Sequence, residues 1–331
     1  MRHGRGRGAP ARAAADERGH DSLPALRPRR GDRPDDERAR LHAALRHARG
    51  NRRGRGRVAK GCRRVIEQLR TILSAPADED AWGYDPKFAD AFQPVLDALY
   101  DRWWRITATG TEHVPASGRA LIAANHAGVV PWDGAMIGTA VRRHVGREVR
   151  ALVLNWAFEL PWASTAIRRG GGVPGSPANA RRLLGEDHLV LVFPEGAKGI
   201  SKPFSERYRL ERFGRGGFVE AALRTGAPIV PCAVVGSEEI HPKIADAPGV
   251  AKLLGLPYLP ITPTFPLLGP LGLVPLPSRW RIEFCPPVDV STYGPEAASD
   301  RRLVLELSDA IREQIQAKVY ENLIRREGAF L

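Results

Sequence analysis

The amino-acid sequence predicts an α/β fold, a mixed sheet flanked by helices and preceded by two further helices. Two observations carry that prediction. From about residue 109 onward, short apolar runs alternate with segments of helical periodicity. Hydrophobic residues make up 43% of the 331, ample for one sizeable core.

Residues 1–58 are mainly Arg, Gly, Ala, Pro and Asp in irregular order, with few large apolar side chains to offset the entropy of folding. They read as a disordered Arg-rich tail. The first 60 residues hold 18 Lys and Arg against 7 Asp and Glu, leaving 32 basic and 30 acidic residues from 61 to 331. The net charge of +13 therefore belongs mostly to the tail, and no specific nucleic-acid partner is expected for the globular part. The tail itself reads as a charge-driven binder of anionic lipid or nucleic acid, or as a dispensable extension.

Residues 59–108 read as N-terminal helices. Val65, Leu69 and Ile72 suggest a short one, and Phe88, Phe92, Val95, Leu96, Leu99, Tyr100 and Trp103 recur at helical spacing over about 87–104. The α/β domain, 109–331, then offers strands at Ala120–Ala124, Val149–Leu154, Leu189–Phe193, Ile229–Val235 and Trp280–Phe284. Between them fall helices at Trp132–Val145, Pro177–Leu184 and Gly217–Thr225. Ser176 suits an N-cap, Pro177 the first helical position, and Gly185 and Gly226 helix ends. A long helix over Ser299–Arg326 places Leu303, Leu307, Ile311, Ile315, Val319 and Leu323 on one side.

Leu253–Ser278 breaks the alternation. It holds no charge and seven prolines, which exclude a regular helix or a central strand. It reads either as an irregular lid over the core or as a segment entering a membrane interface. The three cysteines, Cys62, Cys232 and Cys285, have no disulfide or zinc spacing, which suits a reducing, cytosol-facing setting. No apolar leader and no run long enough to span a bilayer is visible.

Four stretches carry chemistry. Asn125-His126 follows a buried strand, and Pro131 opens a helix with Asp133 in its first turn. A carboxylate there fixes the tautomer of a histidine and makes it a competent base; the plainer alternative is a histidine bonded to backbone in a tight loop. Phe193-Pro194-Glu195-Gly196 also follows a buried strand, placing Glu195 and Gly196 at a pocket mouth with Lys198 and Lys202 in reach, unless the glutamate merely faces water. The Gly-rich run at 168–176 leads into a helix like an anion cradle, with Arg168 and Arg169 as candidate partners of a phosphate group or as a solvated pair. Ile229–Gly236 is a buried strand containing Pro231. No serine stands in a nucleophile-elbow pattern.

Taken in order, these stretches resemble the four motif blocks of the glycerolipid acyltransferase family, which includes the 1-acylglycerol-3-phosphate acyltransferases and a monoacylglycerol-acyltransferase-like branch. The resemblance covers roughly 85–320 and is most specific at the Asn-His and Phe-Pro-Glu-Gly blocks. It implies His126 as general base, Asp133 as its orienting carboxylate, and Glu195, Gly196 and Lys198 at the acceptor. Six residues separate His126 from Asp133 where the common family pattern has four, as in the His-x-Gly-x-x-Pro-x-Asp variant. The second block carries Gly175 and Ser176 where the family usually offers an arginine.

The implied reaction moves a fatty acyl group from acyl-CoA or an acylated carrier protein, as co-substrate, to a hydroxyl of lysophosphatidic acid or a related glycerolipid. Backbone N–H groups near Gly134 or Gly196 would stabilise the oxyanion, and no cofactor or metal is implied. The expected setting is peripheral, at the cytoplasmic face of a membrane. A non-phosphorylated acceptor and a non-catalytic lipid-binding protein are the alternatives.

Overall fold

The computed structural model describes residues 78–126, 130, 132–253 and 259–330. The tail, the short helix at Val65–Ile72 and Leu254–Tyr258 lie outside the described residues, as do Ala127–Val129 and Pro131. The described part belongs to the compact unit Gln68–Leu331.

Helix α1, Pro86–Ala98, starts where the Asp85 side chain accepts from the Phe88 N–H and Pro86 takes the first helical position. A π turn over Leu99–Trp103 ends it. The neighbouring tryptophans part company there, Trp104 fully buried and Trp103 partly exposed.

Nine strands follow among the described residues: β1 Thr107–Thr109, β2 Ala120–Ala124, β3 Val149–Val153, β4 Gly172–Pro174, β5 Leu189–Val192, β6 Ile229–Val235, β7 Ala245–Asp246, β8 Pro260–Ile261 and β9 Arg281–Phe284. The helices among them are α2 Trp132–Val145, α3 Pro161–Arg169, α4 Pro177–Gly185, α5 Ala197–Ser201, α6 Gly217–Thr225, α7 Pro248–Leu253 and α8 Arg301–Arg325. Seven strands form one sheet in the order β1-β9-β6-β2-β5-β3-β4. It is a mixed sheet: β6, β2, β5, β3 and β4 are parallel, and β9, with β1 parallel to it, runs against β6. Strands β7 and β8 form a separate antiparallel pair.

Side chains of alternate residues face opposite sides of a strand, and both sides of this sheet are covered. Ala120, Ile122 and Ala124 join Met136, Ile137 and Val141 of α2, together with Trp104 and Trp280, whose rings stack at 4.8 Å. Leu121 and Ala123 pack on the other side with α4, α6 and α8. On α8 the buried stripe is Val304, Ser308, Ile311, Ile315, Val319 and Asn322. It shares Ile311, Ile315 and Val319 with the predicted face, and the half-buried Leu303, Leu307 and Leu323 border it.

Four short strands fall outside the predicted set: β1, β4, β7 and β8. Strand β1 lies within the stretch read as N-terminal helices and pairs with β9 at the sheet edge. Strand β4 occupies the Gly-rich run read as an anion cradle. A Cβ on Gly172 would lie 2.5 Å from Ile167 Cγ2, so the glycine lets α3 close onto the sheet.

The order of connections creates a crevice. The chain leaves β2 through α2 toward β3 on one side, and leaves β5 through α6 toward β6 on the other. Adjacent strands whose connections depart in opposite directions leave an opening at their carboxyl ends. His126 and Glu195 follow those two ends.

Candidate active site

Asn125, just past β2, continues the sheet with its side chain. Its Oδ1 accepts from the Val234 N–H at 2.7 Å and its Nδ2 donates to the Val234 carbonyl at 2.9 Å. The amide thus satisfies two buried backbone groups of β6 and fixes the exit of β2. His126 comes next, 6% exposed. Its Nδ1 lies 2.8 Å from Asp133 Oδ2. Asp133 is fully buried in the first turn of α2. Asp133 Oδ2 accepts the hydrogen bond from Nδ1–H, which leaves the lone pair on Nε2. The imidazole also stacks on Phe193, ring centres 4.1 Å apart.

Glu195 enters from the turn after β5 and points inward. Its Oε1 accepts from the His126 N–H at 2.8 Å, and its Oε2 accepts from the Glu211 N–H at 2.7 Å. Lys202 Nζ lies 3.2 Å from Oε2 and 3.0 Å from Glu238 Oε1. Burial depresses the Lys202 ammonium, but Glu238 and Glu195 outweigh it and hold its pKa above the ordinary lysine value. Burial pushes the Glu238 carboxyl up, and Lys202 partly offsets this. The structure thus gives Glu195 a task other than meeting the acceptor: it clamps the histidine loop to the neighbouring strand.

Gly196 begins α5 with φ +59°. Its N–H donates to the Phe193 carbonyl, and the Gly134 N–H lies 2.8 Å from Asp133 Oδ1. Both expected oxyanion donors are therefore already engaged. Gly199 sits so close that a Cβ there would be 2.9 Å from the Cβ atoms of both His126 and Glu195. Lys198, on the outer side of α5, is exposed.

The arginine pair is placed differently. Arg169 is buried, with Nη2 2.6 Å and Nε 3.1 Å from Asp85 Oδ2, and its guanidinium lies over the Phe88 ring. Arg168 is exposed and lines a groove of about 420 Å³ with Trp82, Phe158 and Pro174. Neither belongs to the hydrogen-bonded group around His126. Arg169 instead ties α3 to the start of α1. Arg169→Met is expected to destabilise the fold by about 3 kcal/mol, since it strands the buried Asp85 carboxylate. Denaturant titration reads the loss, and turnover per folded molecule stays unchanged.

Lys202 meets Glu195 as its sequence position allowed, and Glu238 joins the site although it did not stand among the predicted site residues. One signal was available: Asn125-His126, Glu195 and Ser237-Glu238 each follow the carboxyl end of a parallel strand. Burial pushes both described thiols up, Cys285 to about 11, so neither supplies a thiolate nucleophile near neutral pH.

The family model described as Acyltransferase matches residues 105–235, which contain β2 through β6 and the whole His126–Asp133–Glu195 group. An uncharacterized protein of Mycobacterium tuberculosis is 47% identical over 265 residues, covering 79% of this chain and 74% of that one. The chloroplastic phytyl ester synthase 2 of Arabidopsis thaliana is 39% identical over 77 residues, 23% of this chain and 11% of its own. Among solved structures, the 1-acyl-sn-glycerophosphate acyltransferase PlsC from Thermotoga maritima aligns over 79% of this chain and 88% of its own, at 18% identity and a TM-score of 0.48.

Proposed function

For this chain, whose residues 105–235 match the Acyltransferase family model, we propose that His126 is the general base of O-acyl transfer from a thioester to a lipid hydroxyl. The observation that carries this reading is the 2.8 Å contact between His126 Nδ1 and the buried Asp133 carboxylate, which leaves Nε2 as the basic nitrogen. Nε2 takes the proton of the acceptor hydroxyl as its oxygen adds to the thioester carbonyl. The C–S bond then breaks, the ester forms, and the imidazolium returns its proton to the departing thiolate. Asp133 supports the transient positive charge on the ring. The donor is acyl-CoA or an acylated carrier protein.

The acceptor is lysophosphatidic acid or a related glycerolipid, with exposed Lys198 near the site to meet a phosphate. A second reading, a non-phosphorylated acceptor, draws support from Arg169, whose guanidinium is committed to Asp85. The partial likeness to a phytyl ester synthase points the same way.

An acceptor panel with one labelled acyl-CoA, read by mass spectrometry of the esters, separates the readings. Lysophosphatidic acid is expected to yield product, and Lys198→Ala to raise its KM about tenfold while leaving monoacylglycerol unaffected. Ester from neutral alcohols alone selects the second reading. No ester from any acceptor, with a folded chain, overturns both.

A further inference from the structure

We infer that the carboxyl edge of the sheet is itself a docking face for an anionic lipid surface. The inference deepens the proposed reaction by assigning the surface through which the site meets its acceptor. Two loops build this face. The first follows β6. Within it, residues 259–278 carry no charge and turn apolar side chains outward: Leu267 is 84% exposed, Leu271 73%, and Leu268 and Val274 each 53%. An uncharged patch of that kind is costly to leave in water and marks an interaction surface. Trp103 stands at its border, half in and half out, with its indole N–H donating to the Pro275 carbonyl, the amphipathic posture of a tryptophan at a lipid boundary.

The second loop follows β5. Arg207, Arg209, Arg212 and Arg215 are exposed there, and none has a carboxylate partner among the described residues. The acids interspersed with them are Glu206 and Glu211. The two loops are joined where the Phe204 N–H donates to the Lys243 carbonyl, and within the first loop the Ile244 N–H donates to the Ile261 carbonyl and His241 Nε2 lies 2.9 Å from the Leu273 carbonyl. Leucines beside unpaired arginines, at the strand ends that bear His126 and Glu195, complement an anionic bilayer. The apolar side chains enter the acyl boundary while the guanidinium groups meet headgroup phosphates. The arginine-rich residues 1–60 add charge of the same sign.

The test uses the full chain and flotation with vesicles of phosphatidylcholine and phosphatidylglycerol in equal amounts. Leu267→Asp with Leu271→Asp is expected to weaken vesicle binding about tenfold or more. Arg209→Glu with Arg212→Glu is expected to weaken it about tenfold on these vesicles, with a shallower dependence on salt. All four positions are exposed, so thermal stability and turnover of water-soluble short-chain substrates stay at the parent level. Vesicle binding that neither pair alters, or no vesicle binding by the parent chain, overturns the inference. A parent chain that floats through this face yet makes no ester keeps the docking face and sinks the reaction.

Discussion

His126→Ala is expected to lower kcat by about 10²–10⁴-fold, the contribution of a positioned base. In the proposed mechanism Nε2 acts only as the acceptor oxygen attacks, so kcat and kcat/KM are expected to fall together with little change in KM. The imidazole also stacks on Phe193, so the variant loses about 1 kcal/mol of stability as well. Circular-dichroism melts alongside steady-state assays separate the two effects. Asp133→Asn keeps the shape but removes the charge that orients Nδ1–H, and lowers kcat without unfolding the chain. Near-parental turnover by a folded His126→Ala enzyme would refute the mechanism.

Glu195→Gln is expected to cost both stability and rate. Each oxygen of Glu195 accepts from a backbone N–H, and Lys202 sits against one of them. The amide turns an NH₂ group toward one of those donors and leaves Lys202 with Glu238 as its remaining carboxylate. The loss is about 3 kcal/mol, the lower end for a broken buried ion pair. The freed histidine loop then lowers kcat more than it raises KM, opposite to what a residue gripping the acceptor would do. A Lys202→Met exchange added to Glu195→Gln is expected to cost less than the sum of the two single changes, because it removes the stranded cation. The Lys202 ammonium keeps its contribution through the neutral range: held above its ordinary pKa, it contributes fully below that value and is lost only as the pH climbs through the raised one.

Local chemistry was legible in the sequence. Ser176 Oγ accepts from the Asn179 N–H, Pro177 opens α4, and Gly226 closes α6 at φ +65°, each as its residue type dictates. The long buried strands were legible because fully apolar runs bounded by turns have few other readings. Strands β1 and β4 were not, since three residues show no period and an edge strand needs no apolar run. The direction of Glu195 was not legible either. A glutamate in a Pro-Gly turn reads as facing a ligand, and only the adjacency of β2 and β5 brings the His126 N–H to it. Arg169 escaped for a similar reason: its partner lies 84 residues earlier, at the cap of α1. At Leu253–Ser278 the prolines excluded a regular helix and a central strand, and the structure places the short strand β8 there, outside the main sheet, with Leu267 and Leu271 turned outward.

The Asn125 amide that extends β2 into β6 has a bearing on how the molecule reaches its working state. The partner of that amide is 109 residues away, and the partner of the His126 N–H is 69 residues away. Contacts this distant in sequence form late, after the loop-closure entropy of the intervening chain has been overcome. A nascent chain halted before β6 holds every residue from His126 to Glu195 and still lacks the strand that seats Asn125. Acyl transfer would therefore begin only after residues 229–235 have emerged and paired, which makes the onset of turnover during synthesis a clock for closure of the central sheet.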